Sequence, residues 1–135
     1  MEERHGVHDD EMRVLVVDDE KNILDILQTF LENEGYTVCV AESGAEAMQN
    51  IEECMPQIVL LDIRMPDIDG IQCLRTIKDN YSGVEVVMMS GFATTRMALK
   101  SLQIGAFDYI GKPIEFGHLK EIIEQIKITK FLEKM

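Results

Sequence analysis

The sequence predicts an α/β domain built on a doubly wound, five-stranded parallel sheet. Five short apolar runs, rich in Val, Ile and Leu, alternate with longer amphipathic stretches along the chain. The runs mostly lack polar alternation, as strands covered on both faces do. The stretches between them repeat apolar residues at helical spacing, and strand–helix units in series imply parallel strands with helices on both faces. At 135 residues the chain fits one domain, and its 46% apolar content is enough for one core.

The strands are expected at Arg13–Val17, Thr37–Ala41, Gln57–Leu61, Glu85–Met89 and Phe107–Ile110. The first helix is marked by Ile23, Leu24, Leu27, Phe30 and Leu31, and Gly35 is its stop. Ser43 caps the second, with Glu46 three positions on as a capping box. Ile71, Leu74, Ile77 and Lys78 outline a third helix ending near Asn80, and Met97, Ala98, Leu102 and Ile104 a fourth that stops at Gly105. Leu119, Ile122, Ile123 and Ile126 define a fifth, whose later turns carry Lys127, Lys130 and Lys134 against the negative end of the helix dipole. Residues 1–11 read as a flexible polar lead, with His5 and His8 solvated rather than metal-bound, and residues 12–135 as the folded domain.

Right-handed crossovers put the C-terminal ends of parallel strands on one edge, where open sheets of this kind bind ligands. The polar residues at that edge are Asp18 and Asp19 after the first strand, Asp62 after the third, Ser90 and Gly91 after the fourth, and Lys112-Pro113 shortly after the fifth. A single Asp or Ser at a strand end is ordinarily a helix cap. Three carboxylates, a hydroxyl and an ammonium at four of five strand ends are not explained that way. Carboxylates about 4 Å apart repel by about 4 kcal/mol at an effective dielectric near 20. Lys112 offsets part of this, and a hard divalent cation with oxygen ligands, Mg2+ above all, suits the remainder.

Composition excludes several functions. A net charge of −12 opposes direct binding to nucleic acid or to an anionic membrane surface. Uninterrupted apolar runs reach only four residues, too short for a membrane-spanning helix, and the expected location is the cytoplasm. The three cysteines, Cys39, Cys54 and Cys73, form no CxxC spacing, and Cys39 in its apolar run is expected as a reduced core thiol. No G-x-x-x-x-G-K-[ST] loop is present for a nucleotide.

The blocks V-L-V-V-D-D-E, L-L-D-I-R-M-P-D-I-D-G, M-M-S-G-F-A and Y-I-G-K-P occur in that order. Together they resemble a bacterial two-component response-regulator receiver domain, from roughly Met12 to Phe131. M-S-G-F-A-T and G-A-F-D-Y-I-G-K-P are similar to receivers of nitrogen-regulation-type activators. The resemblance implies a CheY-like, flavodoxin-like (βα)5 fold with strand order 2-1-3-4-5. It further implies that Asp62 accepts a phosphoryl group from a sensor histidine kinase or phosphotransfer protein. Asp19, Asp62 and the Arg64 carbonyl would be metal ligands, with Asp18 as a second acid acting through water. Ser90 and Lys112 would bind phosphoryl oxygens, helped by the backbone N–H groups of Arg64 and Gly91. Met65-Pro66 and Asp69-Gly70 match the loop after the phosphosite. The Lys112–Pro113 bond would be cis.

Tyr109, with Ser90, matches the switch pair. Arg64 and Phe92 would line the mouth of the pocket. Output would pass through the fourth helix, fifth strand and fifth helix, with Thr95, Arg96, Leu99, Tyr109 and His118, to an effector protein or an attached output domain; a phosphorylation-dependent homodimer is a further state the resemblance admits. Such a domain is no enzyme beyond catalysing its own phosphorylation and dephosphorylation. The rival readings are a receiver-shaped docking module that is never phosphorylated, a haloacid-dehalogenase-type phosphatase, which needs D-x-D where this chain has Asp18-Asp19, and an FMN-binding flavodoxin, which needs a Ser/Thr-rich loop after the first strand. A single-domain regulator acting by protein contact is favoured over a receiver cut from a longer protein.

Overall fold

The computed structural model describes residues 12–91 and 95–135, with Thr95 described in its backbone alone. The lead at 1–11, with His5 and His8, and also Phe92 and the Thr95 side chain lie outside the described residues. In chain order the elements are β1 (Arg13–Val17), α1 (Lys21–Asn33), β2 (Thr37–Ala41), α2 (Gly44–Cys54), β3 (Ile58–Asp62), α3 (Gly70–Asn80), β4 (Glu85–Ser90), α4 (Thr95–Ile104), β5 (Asp108–Gly111) and α5 (Phe116–Glu133). The strands form one parallel sheet in the order β2-β1-β3-β4-β5.

The period-two alternation of each strand splits the core into two layers. Val14, Val16, Ile58, Leu60, Val87, Met89 and Ile110 face α1 and α5, meeting Leu24, Leu27, Leu31, Leu119, Ile122, Ile123 and Ile126. Leu15, Val17, Val59, Leu61, Val86 and Met88 face the other way, onto Ala47 and Ile51 of α2 and Cys73, Leu74 and Ile77 of α3. All five residues of β3 are buried, as befits the central strand.

Two strands, β3 and β5, are displaced from the sequence expectation by one residue, and β4 is one residue longer. β3 runs through Asp62 and β4 through Ser90 because both backbones stay in the ladder, Asp62 beside Met89 and Ser90 beside Gly111. β5 likewise begins at Asp108 and ends at Gly111. The edge side chains therefore project from regular strand backbone, which holds their spacing. The expected stops are present: Gly35 and Gly105 have φ of +98° and +128°, values a side chain rarely tolerates. Ser43 Oγ accepts from Glu46 N at 3.1 Å. The Glu46 carboxylate accepts from Glu42 N, one residue earlier than in a strict capping box. α2 ends on Met55, left-handed at φ 51°, a position glycine usually takes.

The expectation of a reduced Cys39 is corrected. Cys39 and Cys54 form a disulfide with Cα atoms 6.5 Å apart. Composition and CxxC spacing do not reveal it, because the pairing depends on α2 folding back over β2. Cys39 packs on the sheet face that α2 covers, and the last residue of that helix comes beside it. Cys73 is free and buried, and burial pushes its pKa up to about 11.

Gly70 shows how tightly the loop after β3 is drawn in. A Cβ there would stand 2.6 Å from the carbonyl oxygens of Asp62 and Ile63. These are backbone atoms fixed by the sheet, so Gly70→Ala should cost about 2 kcal/mol, within the usual range for overpacking. Urea unfolding checks this, and an unchanged midpoint would show that the loop can yield.

Candidate functional site

The edge residues arrive by ladder geometry. Asp18 N donates to Ala41 O at 3.1 Å, and Lys112 N donates to Ser90 O at 2.9 Å, so both continue the hydrogen bonding just beyond their strands. Ile63 N donates to Met89 O at 2.9 Å and fixes the chain just past Asp62. Asp18, Asp62 and Ser90 are buried, whereas Asp19 is exposed at the rim. One carboxylate oxygen from each of Asp18, Asp19 and Asp62 lies within 4.8 Å of the others.

Lys112 bridges the acids. Its Nζ donates to Asp18 Oδ2 at 2.6 Å and lies 3.4 Å from Asp62 Oδ2 and 3.7 Å from Glu20 Oε1. Burial works against its ammonium, but the hydrogen bond and charge of Asp18, with Asp62 behind it, prevail and hold its pKa above the ordinary lysine value. Asp18 also accepts from Glu20 N at 2.9 Å through Oδ1. Asp62 Oδ1 accepts from Arg64 N at 3.2 Å. Even so, burial and then repulsion from Asp18 keep the Asp62 pKa raised. Both causes penalise its negative charge, and the three carboxylates gathered here outnumber the Lys112 ammonium that bridges them.

That donor set fits the expected metal. Carboxylate oxygens are what a hard divalent cation takes, and one from each of three acids converges here. The cleft above them is lined by Asp19, Glu20, Asp62, Arg64, Ser90, Gly91 and Lys112. Asp18 is absent from that lining because its side chain is turned inward onto Lys112.

The other expected residues lie as follows. The Lys112–Pro113 peptide is cis. A methyl at Gly91 would meet only Lys112 Cβ, at 3.9 Å, so the small residue is not sterically required. Tyr109 is half-buried against the core layer under α2 and α3. Arg96, Leu99 and His118 are exposed on α4 and α5. Two residues went unassigned in the sequence. Glu20, the third acid of D-D-E, lies beside Lys112. Asp67 reaches from the loop after β3 to the start of α2.

A five-stranded doubly wound sheet with an acid cluster bridged by a lysine at its C-terminal edge defines a receiver-type α/β domain. Residues 14–124 match the family described as the response regulator receiver domain. The chain belongs to that family. It is 34% identical over 122 residues to the regulatory protein AtoC of Escherichia coli K12, covering 90% of this chain and 26% of the relative. It is 36% identical over 116 residues to the transcriptional regulatory protein ZraR of the same organism, covering 86% of this chain and 26% of the relative. The chain thus spans about a quarter of the curated relatives it matches. Among solved structures, a CheY-like receiver from Methanospirillum hungatei JF-1 superposes with a TM-score of 0.87 at 33% identity, over 91% of this chain and 98% of that one. The receiver domain of NtrX from Brucella abortus gives 0.81 at 33% identity, over 86% and 98%. Among the described residues no helix is long and apolar enough to cross a membrane.

Proposed function

We propose that this receiver takes a phosphoryl group onto Asp62 from a histidine kinase or phosphotransfer protein, in the presence of Mg2+. The observation that carries the proposal is the buried Asp62 carboxylate set between the Asp18 and Asp19 acids and the Lys112 ammonium. An Asp62 oxygen attacks phosphorus, the new P–O bond forms as the P–N bond to the donor imidazole breaks, and an acyl phosphate results. Lys112 and Ser90 hold the phosphoryl oxygens, and the N–H groups of Arg64 and Gly91 complete the cradle. Such transfer needs positioning and charge stabilisation more than a strong base. Asp19, Asp62 and the Arg64 carbonyl would hold Mg2+, with Asp18 behind them, and the ion would neutralise both the acids and the incoming oxygens.

The domain then acts as a switch, not as an enzyme on other substrates, and catalyses only its own phosphorylation and dephosphorylation. The modification adds about −1.5 to −2 charge. Ser90 moves to the phosphoryl group, Tyr109 rotates after it, and the α4–β5–α5 face changes what it binds. Phosphorylation biases two existing states, so some activity without phosphate is expected. The output is an effector or an attached output domain in the cytoplasm, with no direct contact of this domain with nucleic acid. Relatives named as transcriptional regulators suit that reading.

Acetyl phosphate with Mg2+ should add one phosphoryl group to the chain by intact mass, and EDTA should abolish the gain. Undiminished labelling in EDTA would refute the metal role. A chain that stays unlabelled throughout would favour the docking module instead. Beryllofluoride should shift the Tyr109 ring resonances, and unmoved resonances would remove Tyr109 from the switch.

A further inference from the structure

The loop from Ile63 to Asp69 carries Arg64 and joins β3 to α3, and it is fastened at both ends by its own backbone. Ile63 N donates to Met89 O, and Gly70 N to Ile63 O, both at 2.9 Å. Its middle is tied to the neighbouring helix by the Asp67 side chain. Asp67 Oδ1 accepts from Gly44 N and Asp67 Oδ2 from Ala45 N, both at 3.0 Å. A helix start leaves its first N–H groups without intrahelical partners. At α2 they are shared out: Asp67 takes Gly44 and Ala45, and Ser43 Oγ takes Glu46. The contact is steric as well as polar. A Cβ on Gly44 would stand 1.7 Å from Ile68 Cγ2, so Ile68 seats against a helix start kept bare by glycine.

Asp67 thus spans from a loop residue three past Arg64 to a helix that contributes no side chain to the cleft. We infer that Asp67 is a positioning residue of the acid cluster, holding the Arg64 backbone where it meets Asp62 and the expected cation. The inference rests on the proposed function and deepens it. Both carboxylate oxygens are used as acceptors, and charged acceptors make the stronger hydrogen bonds. Without the tether, the loop keeps its two ends and its apolar contacts but loses the polar anchor three residues past Arg64, whose N–H lies 3.2 Å from Asp62 Oδ1.

The test compares the full chain with Asp67→Ala, Asp67→Asn and Ser43→Ala. Mg2+ affinity is measured by titration calorimetry, and labelling by acetyl phosphate is followed across Mg2+ concentrations. Ser43→Ala removes the other cap of the same helix start without touching the loop, so it reports the purely structural cost. Asp67→Ala should weaken Mg2+ binding about tenfold, the scale seen for residues that orient metal ligands. Its labelling rate at saturating Mg2+ should fall as well, since the Arg64 N–H that the tether places belongs to the phosphoryl cradle. Asp67→Asn, with one acceptor oxygen left, should fall between. Ser43→Ala should lower the melting temperature yet keep the parent's Mg2+ affinity. The inference is overturned if Asp67→Ala binds Mg2+ as the parent does while the parent is labelled normally, or if Ser43→Ala weakens Mg2+ equally. A parent that binds no Mg2+ and takes no label overturns the proposed function itself, and the tether's role with it.

Discussion

Asp62→Asn should take no label from acetyl phosphate under conditions that label the parent chain fully. The amide lacks the anionic oxygen that attacks phosphorus, and the other acids are not equivalent substitutes. Asp18 is turned into the protein and committed to Lys112, and Asp19 lies exposed at the rim. Intact mass after the reaction decides it; persistent single labelling of the variant would move the acceptor elsewhere. The same change should stabilise the domain at neutral pH by about 1 kcal/mol, the ordinary scale of a single substitution. The sign follows from the raised pKa of Asp62, due to burial and then to Asp18. A carboxyl whose pKa is higher folded than unfolded contributes stability below the unfolded value and loses it as pH rises through the folded value. At neutral pH the charged parent has lost that contribution, and the amide never carries the charge. Urea midpoints at neutral and acidic pH should therefore differ between the two proteins at the former and converge at the latter.

Lys112→Ala should have the opposite effect on stability and a comparable effect on labelling. It removes the ammonium lying within 4 Å of Asp18, Glu20 and Asp62. The Asp18 side chain is fully buried, and that of Lys112 is only 14% exposed. Removing one partner of a buried pair leaves a charge with no compensation, at a cost of about 3 kcal/mol. Because the Lys112 pKa is raised, its contribution is fully present below the ordinary lysine value and fades only above the folded one. The loss should thus appear undiminished at neutral pH. Millimolar Mg2+ should restore part of the stability by returning positive charge to the cluster, but not the labelling rate, since the phosphoryl oxygen loses its donor. Urea melts with and without Mg2+ check the first claim. A variant as stable as the parent in EDTA would show that the acids find relief by another route.

Much of this was legible before any coordinates. Buried β-branched runs marked the strands, because a strand covered on both faces has no solvent side to alternate with. Gly35 and Gly105 marked helix ends because each occupies a conformation that penalises side chains. The acids at the ends of β1 and β3 were visible because parallel connectivity brings strand ends together without knowledge of any contact. What escaped is long-range or local in ways composition does not encode. The Cys39–Cys54 bond joins a strand to the far end of the helix after it. The Asp67 tether crosses more than twenty residues, and nothing near Gly44 announces an acceptor from another loop. Met55 closes α2 in a left-handed conformation with only Pro56 beside it as a signal.

The 94 residues separating Asp18 from Lys112 have a consequence for how the chain is made. During synthesis the N-terminal half emerges first, bringing Asp18 and Asp19 and then Asp62 into a chain that does not yet contain their counter-charge. Such non-local pairings form late, after the cost of closing a long loop has been met. Until β5 docks at the edge of the sheet, the half-built domain carries mutually repelling acids, and its central strands lack a finished edge. The acids meet their counter-charge only when β5 has docked, so the Lys112–Asp18 contact is a mark of the finished sheet.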